Sequence, residues 1–168
     1  MRSNLILVTT ALAATCVLAA CGKPLAGADP ADAKATAAAL TGDDKGAAAS
    51  NPVCRMFTQA EVALYIGEPV NRGENAAMGT GCQWTAKDDS GSVMIQIVEA
   101  QNLNPVSGAP AFRELPDVGE RGYVANDVGW TAGAIQGPSA IVVTTDGKST
   151  SDATAIALLK ETLKREAR

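Results

Sequence analysis

Residues 51–168 are predicted to form one α+β domain, an antiparallel sheet with an N-terminal and a C-terminal helix packed on it. Three observations predict this class. A complete helix-start signature lies at Phe57–Val62, two pairs of strand-like segments, the first of them alternating, are each bridged by turn residues, and an apolar stripe at helical spacing closes the chain. Hairpins leave a sheet face to be covered, and helices at the two ends of the domain are available to cover it.

The first helix starts at Thr58, an N-cap whose capping-box partner is Glu61, with Phe57 and Val62 as a hydrophobic staple. It should stop at Gly67, which suits a left-handed C′ position, with Pro69 shortly behind. Gly81-Cys82-Gln83-Trp84-Thr85 alternates and places Cys82 and Trp84 on one face. Lys87 to Ser92 is turn chemistry, after which Val93, Ile95 and Ile97 alternate with Met94, Gln96 and Val98. These segments make a first hairpin. A second runs from Trp130–Ile135 through Gln136-Gly137-Pro138-Ser139 to Ala140–Thr145. Between the hairpins, Asn102 to Val128 is rich in Pro and Gly and reads as loop with a short helix near Ala109–Leu115. The final helix begins at about Asp152 with Ile156, Leu159 and Leu163 as its stripe, and Lys160, Lys164 and Arg165 oppose the negative end of its dipole.

Ahead of the domain, Arg2 precedes an apolar core from Leu5 to Ala20 that ends in small residues. This is the anatomy of a secretory signal, too short and wrongly flanked for a mature transmembrane helix. Leu18-Ala19-Ala20-Cys21 resembles the lipobox of bacterial lipoproteins. The resemblance implies cleavage before Cys21, diacylglycerol on its thiol and often a further acyl chain on its new amine. At roughly 0.8 kcal/mol per buried methylene, two or three chains anchor a protein stably. Residues 1–20 thus read as signal peptide and 21–50 as a lipid-anchored flexible tether. The tether is Ala, Gly, Asp, Thr and Lys with Leu25 and Leu40 as its large apolar residues, too little to offset its ordering entropy. As a coil it would reach roughly 30 Å. The alternative is a marginal helix through Ala31–Leu40. The expected location is the bacterial cell envelope, the chain being exported and lipid-anchored to a membrane. Gly22 rather than aspartate after the cysteine favours the outer membrane where the source has two.

Loss of Arg2 leaves 13 basic residues (14 less one) against 18 acidic, a net charge of −5. That balance disfavours nucleic acid and a polybasic grip on anionic lipid. With Cys16 in the signal and Cys21 acylated, Cys54 and Cys82 remain as a disulfide pair in an oxidising compartment, the alternative being two buried thiols. The chain has no histidine. It therefore lacks the commonest general base, the commonest zinc ligand and every Ser-His-Asp or Cys-His nucleophile.

Acidic neighbours occur at Asp43-Asp44, Asp88-Asp89 and Glu114, Asp117, Glu120, but tether, turn and surface decoration account for them. Asp88-Asp89-Ser90 lacks the longer oxygen series of a calcium loop. Gly79-Thr80-Gly81 lacks a Walker lysine, and Gly137-Pro138-Ser139-Ala140-Ile141 is not a nucleophile elbow. No catalytic residue, metal site or cofactor is expected. Aromatics are scarce, and Trp84 should pack beside the disulfide. Arg121, Tyr123 and Trp130, around Gly119-Glu120-Arg121-Gly122, form the candidate contact patch for an envelope protein partner. The alternative is that both rings fill the core.

Pro52-Val53-Cys54, Phe57-Thr58-x-x-Glu61-Val62, Gly67-Glu68-Pro69-Val70, Gly81-Cys82-x-Trp84 and Val118-Gly119-Glu120 together resemble an uncharacterised group of lipoprotein domains best represented in actinobacteria. The resemblance spans about Asn51 to Thr145, with a departure from Asn102 to Ala109, and carries no established activity. The expectation is a non-catalytic binding or adaptor lipoprotein. The alternatives are an envelope hydrolase using Glu114 or Glu120, or a small-ligand-binding lipoprotein.

Overall fold

Seven strands pair antiparallel in one sheet whose spatial order is β1-β2-β3-β7-β6-β5-β4. In a computed structural model that describes residues 45–168, they are β1 Glu74–Ala76, β2 Gly81–Thr85, β3 Ser92–Glu99, β4 Arg113–Glu114, β5 Glu120–Asn126, β6 Trp130–Gln136 and β7 Ser139–Asp146. Two meanders, β1-β2-β3 and β4-β5-β6-β7, join where β3 pairs with β7 over eight residues, Ser92–Glu99 against Ser139–Asp146. The signal reading, the Cys21 lipobox, the tether up to residue 44 and the partial helix at Ala31–Leu40 lie outside the described residues.

Among the described residues four α-helices accompany the sheet: α1 Lys45–Ser50, α2 Pro52–Met56, α3 Gln59–Ile66 and α4 Asp152–Glu166. The fold class is α+β, as the hairpins and terminal helices predict. Within the stretch read as tether, α1 makes Lys45–Ser50 helical and buries Ala48. An alanine-rich turn has no apolar stripe to announce it and is held by what it packs against. Asn51 then caps α2, accepting from the Val53 amide, and its buried amide donates to Asn75 and to the Gly81 carbonyl.

The α3 start matches its sequence signature. Thr58 accepts from the Glu61 amide while the Glu61 carboxylate accepts from the Thr58 amide at 2.7 Å, and Gly67 ends the helix at φ +77°. Period-two alternation sends Cys82, Trp84, Val93, Ile95, Ile141 and Val143 to the face beneath the helices, where α4 adds Leu158, Leu159 and Leu163. Ile156, expected in the stripe, sits at its half-buried margin, and the buried line runs through Ala155, Leu158, Leu159 and Thr162.

Two fastenings hold the helices in place, one to the sheet and one among the helices themselves. Cys54 of α2 and Cys82 of β2 form the disulfide. Arg165 of α4 reaches back to α3: its guanidinium donates to Glu61 at 2.8 Å, to Glu161 at 2.9 Å and to the Met56 carbonyl, and covers the Phe57 ring. The Arg165 and Thr58 hydrogen bonds hold the Glu61 carboxyl down at about 2, well below its usual range.

The stretch read as loop with a short helix near Ala109–Leu115 instead contains β4 and β5. The expected helix is absent there, because Pro110 and Pro116 interrupt the segment and its backbone pairs along the sheet edge.

Candidate functional site

A break in the β5–β6 ladder generates the site. Glu120 pairs with Ile135 and Tyr123 with Gly133, so Arg121 and Gly122 together oppose the single residue Ala134. This is a β-bulge, which re-aims side chains locally. Glu120 and Tyr123, three apart, consequently share a face. The bulge is tied down by the Leu115 amide, which donates to the Gly122 carbonyl at 2.7 Å, and by the Val118 amide, which donates to the Leu115 carbonyl at 3.1 Å. A Cβ at Gly122 would lie 2.2 Å from the Val118 carbonyl oxygen, so only glycine fits. Arg121 is left at φ +54°, a left-handed conformation that side chains other than glycine seldom adopt.

Beside this bulge opens a recess of about 630 Å³. Arg121, Glu114, Phe112 and Tyr123 line it together with Asn104 and Ser107 of the connecting loop. Tyr123 is 3% exposed and stacks on Phe112 with centroids 6.1 Å apart. Its ring lies over Gly133, where a Cβ would come within 2.6 Å of Cε1. Burial raises the Tyr123 pKa, so the phenol stays neutral at ordinary pH. Arg121 and Glu114 are exposed, and among the described residues Arg121 has no ion-pair partner.

A second hollow of about 500 Å³ continues along the same face and shares Tyr123 and Asn104 with the first. Its floor includes Gln96, Val98, Thr131 and Val142, and its rims carry Met78, 88% exposed, and Val106, 44% exposed. Together the two hollows form a trough across the sheet face turned away from the helices.

Of the three residues expected in one contact patch, the structure brings Arg121 and Tyr123 together and leaves Trp130 out. Trp130 pairs with Asn126, three positions from Tyr123, and therefore points to the opposite face, where it packs half-buried against the helix-side core. Glu114 lines the recess; Glu120 and Asp117 are exposed and do not. Cys54 and Cys82 form their disulfide at a distance from this recess, with Trp84 buried on the Cys82 face. Asp88 belongs to the β2–β3 turn, where hydrogen bonds from Ser90 lower its pKa, and Asp43-Asp44 lies outside the described residues. No group of three or more His, Cys, Asp or Glu able to hold a metal occurs among the described residues.

Sequence reasoning missed Asn104, Phe112, Met78 and Val106 as parts of one trough. The alternation of β3 does show a half-polar second face in Met94, Gln96 and Val98, which is the signal that could have pointed there. Searches for a matching family model, a curated relative and a similar solved structure found none.

Proposed function

We propose that this chain is a non-catalytic binding module of the bacterial cell envelope, exported, lipid-anchored through Cys21, and engaging an envelope protein partner through the trough. The observation that carries the reading is Arg121, unpaired and held at positive φ on a glycine-pinned bulge, at the mouth of a recess floored by stacked Tyr123 and Phe112. Backbone strain persists only where the surroundings enforce it, and such positions cluster at functional sites. Arg and Tyr are also the side chains that most often anchor interfaces.

The partner is tested by quantitative mass spectrometry of what co-purifies with the membrane-anchored chain. One recurrent envelope protein should fall at least roughly tenfold in an Arg121→Ala, Glu114→Ala variant and stay unchanged in Trp130→Ala. Equal recovery from all three sinks the assignment. An envelope hydrolase built on Glu114 is the rival: turnover of peptidoglycan by the purified chain, lost on Glu114→Gln, would replace the binding reading. The anchor has its own test. Cys21→Ser should carry no labelled lipid, and lipid retained on that variant would refute acylation at Cys21.

A further inference from the structure

At the other end of the molecule, a cleft of about 320 Å³ lies between the α1–α2 segment and the strand-like stretch before β1. Its wall includes Arg55, Arg72, Gln59, Thr58, Gly73 and Trp84, and no carboxylate lines it. Arg55 and Arg72 are both exposed, and among the described residues neither has an ion pair. The acids nearest in sequence, Glu61 beside Arg55 and Glu74 beside Arg72, do not pair with them: Glu61 is engaged by Arg165, and Glu74 forms no ion pair among the described residues.

Trp84 supplies an independent observation. It is 1% exposed, and among the described residues its indole N–H has no hydrogen-bond acceptor, yet no fully enclosed side-chain nitrogen or oxygen there lacks a partner. The indole nitrogen therefore keeps an opening, and Gly73 provides it. A Cβ at Gly73 would stand 2.7 Å from Nε1 and 2.6 Å from the Cys82 sulfur, so a side chain there would crowd the nitrogen, and both Gly73 and Trp84 line the cleft. An indole N–H is a donor only, and an arginine guanidinium offers donors only.

We infer that this cleft is an oxyanion site, in which Arg55 and Arg72 hold a phosphate or carboxylate group and the Trp84 indole donates to it. Guanidinium forks match such planar or tetrahedral oxygens, and charge-assisted hydrogen bonds are the strong ones. Position does not separate the two sources of such a group. A soluble anion would enter from water, and a phospholipid headgroup would arrive from the membrane that the proposed anchor brings close.

The test is ¹H–¹⁵N correlation of the two indole N–H signals, using the full chain in uncharged detergent, with Trp130→Phe to assign them. Inorganic phosphate should shift the Trp84 signal saturably and leave Trp130 unmoved. Arg55→Gln, Arg72→Gln should weaken that response by roughly tenfold or more, with the Trp130 signal reporting that the fold is intact. Because both arginines are exposed, that variant should fold; Arg72→Gln alone should give a smaller loss in the same direction. A second arm dopes the micelle with phosphatidylglycerol. A response to free phosphate assigns a soluble anion, and a response to the doped micelle alone assigns a headgroup. No saturable shift in either arm, or the same shift in the double variant, overturns the site.

Discussion

The two faces of the sheet are built by the same strands and finished in opposite ways. Beneath the helices, Trp84, Ile95, Val93, Ile141 and Val143 are fully enclosed, and α4, α3 and the disulfide seal them. On the other face, Met94, Gln96, Val142 and Thr144 remain half-buried, and only a small cluster of Leu103, Tyr123, Ile135 and Ala140 closes one end. The chain has two each of Trp, Tyr and Phe, and the helix face takes Trp84 and Phe57 as fully buried core. The contrast teaches where stability and recognition are separated: one face holds the fold, and the other keeps a trough that the fold does not need filled.

The largest expected effect follows from that difference. Leu159→Ala, at 0% exposure, should cost about 2–5 kcal/mol in chemical denaturation, whereas Val142→Ala, at a half-buried position, should cost less than about 1 kcal/mol. Similar losses at both positions would erase the distinction between the faces. Next comes Gly122→Ala, whose new Cβ meets the Val118 and Leu115 carbonyl oxygens at 2.2 and 2.6 Å. It should destabilise by about 1–3 kcal/mol and speed amide exchange at Leu115, because the bulge must open to admit it. Unchanged exchange would show that the bulge is not what pins the recess.

The helix-side fastening has a pH signature. Glu61 titrates at about 2 when folded, against an ordinary value of 4.5. A depressed carboxylate stabilises the fold above its unfolded pKa and loses that contribution as pH falls through the folded value. The stability gap between the native chain and Glu61→Gln should therefore be constant above about pH 5 and close between 4.5 and 2. Its size should not exceed about 1 kcal/mol, because the Glu61 side chain is 41% exposed and screened. Glutamine retains the capping-box geometry, so the gap reports the charge. A gap that does not change with pH would deny Arg165 its role.

The smallest stability effect belongs to the trough. Arg121→Gly should alter stability by no more than about 0.5 kcal/mol, since glycine accepts the positive φ while losing chain entropy, yet it should still weaken partner recovery. Denaturation and recovery measured together separate a residue kept for recognition from one kept for folding.

Much of the helix face was legible in the chain. Alternation marks β2 and β3, a turn between two apolar runs marks β6 and β7, and the Thr58–Glu61 box and Gly67 mark α3 at both ends. The trough was not. The strand β5 carries it, and the bulge at Arg121-Gly122 breaks the period of two that would announce a strand, leaving a glycine-rich segment that reads as loop. β1 and β4 span three and two residues, too short for any pattern to register. Trp130 and Tyr123 looked like neighbours because both flank that segment, and only the register places them on opposite faces. Arg165 shows the same limit from the other side. Its place near a helix C-terminus is visible in sequence, but its reach to Glu61 and Phe57 depends on how α4 docks.

Site-specific photo-crosslinking in the membrane-anchored chain tests the central claim most directly. One photoreactive side chain replaces Arg121 in the trough, and another replaces Leu64, which is 82% exposed on α3 on the helix side. The account predicts a discrete, recurrent protein adduct at position 121 and none at 64. A discrete adduct at 64 with none at 121 would contradict it and move the recognition surface to the helices.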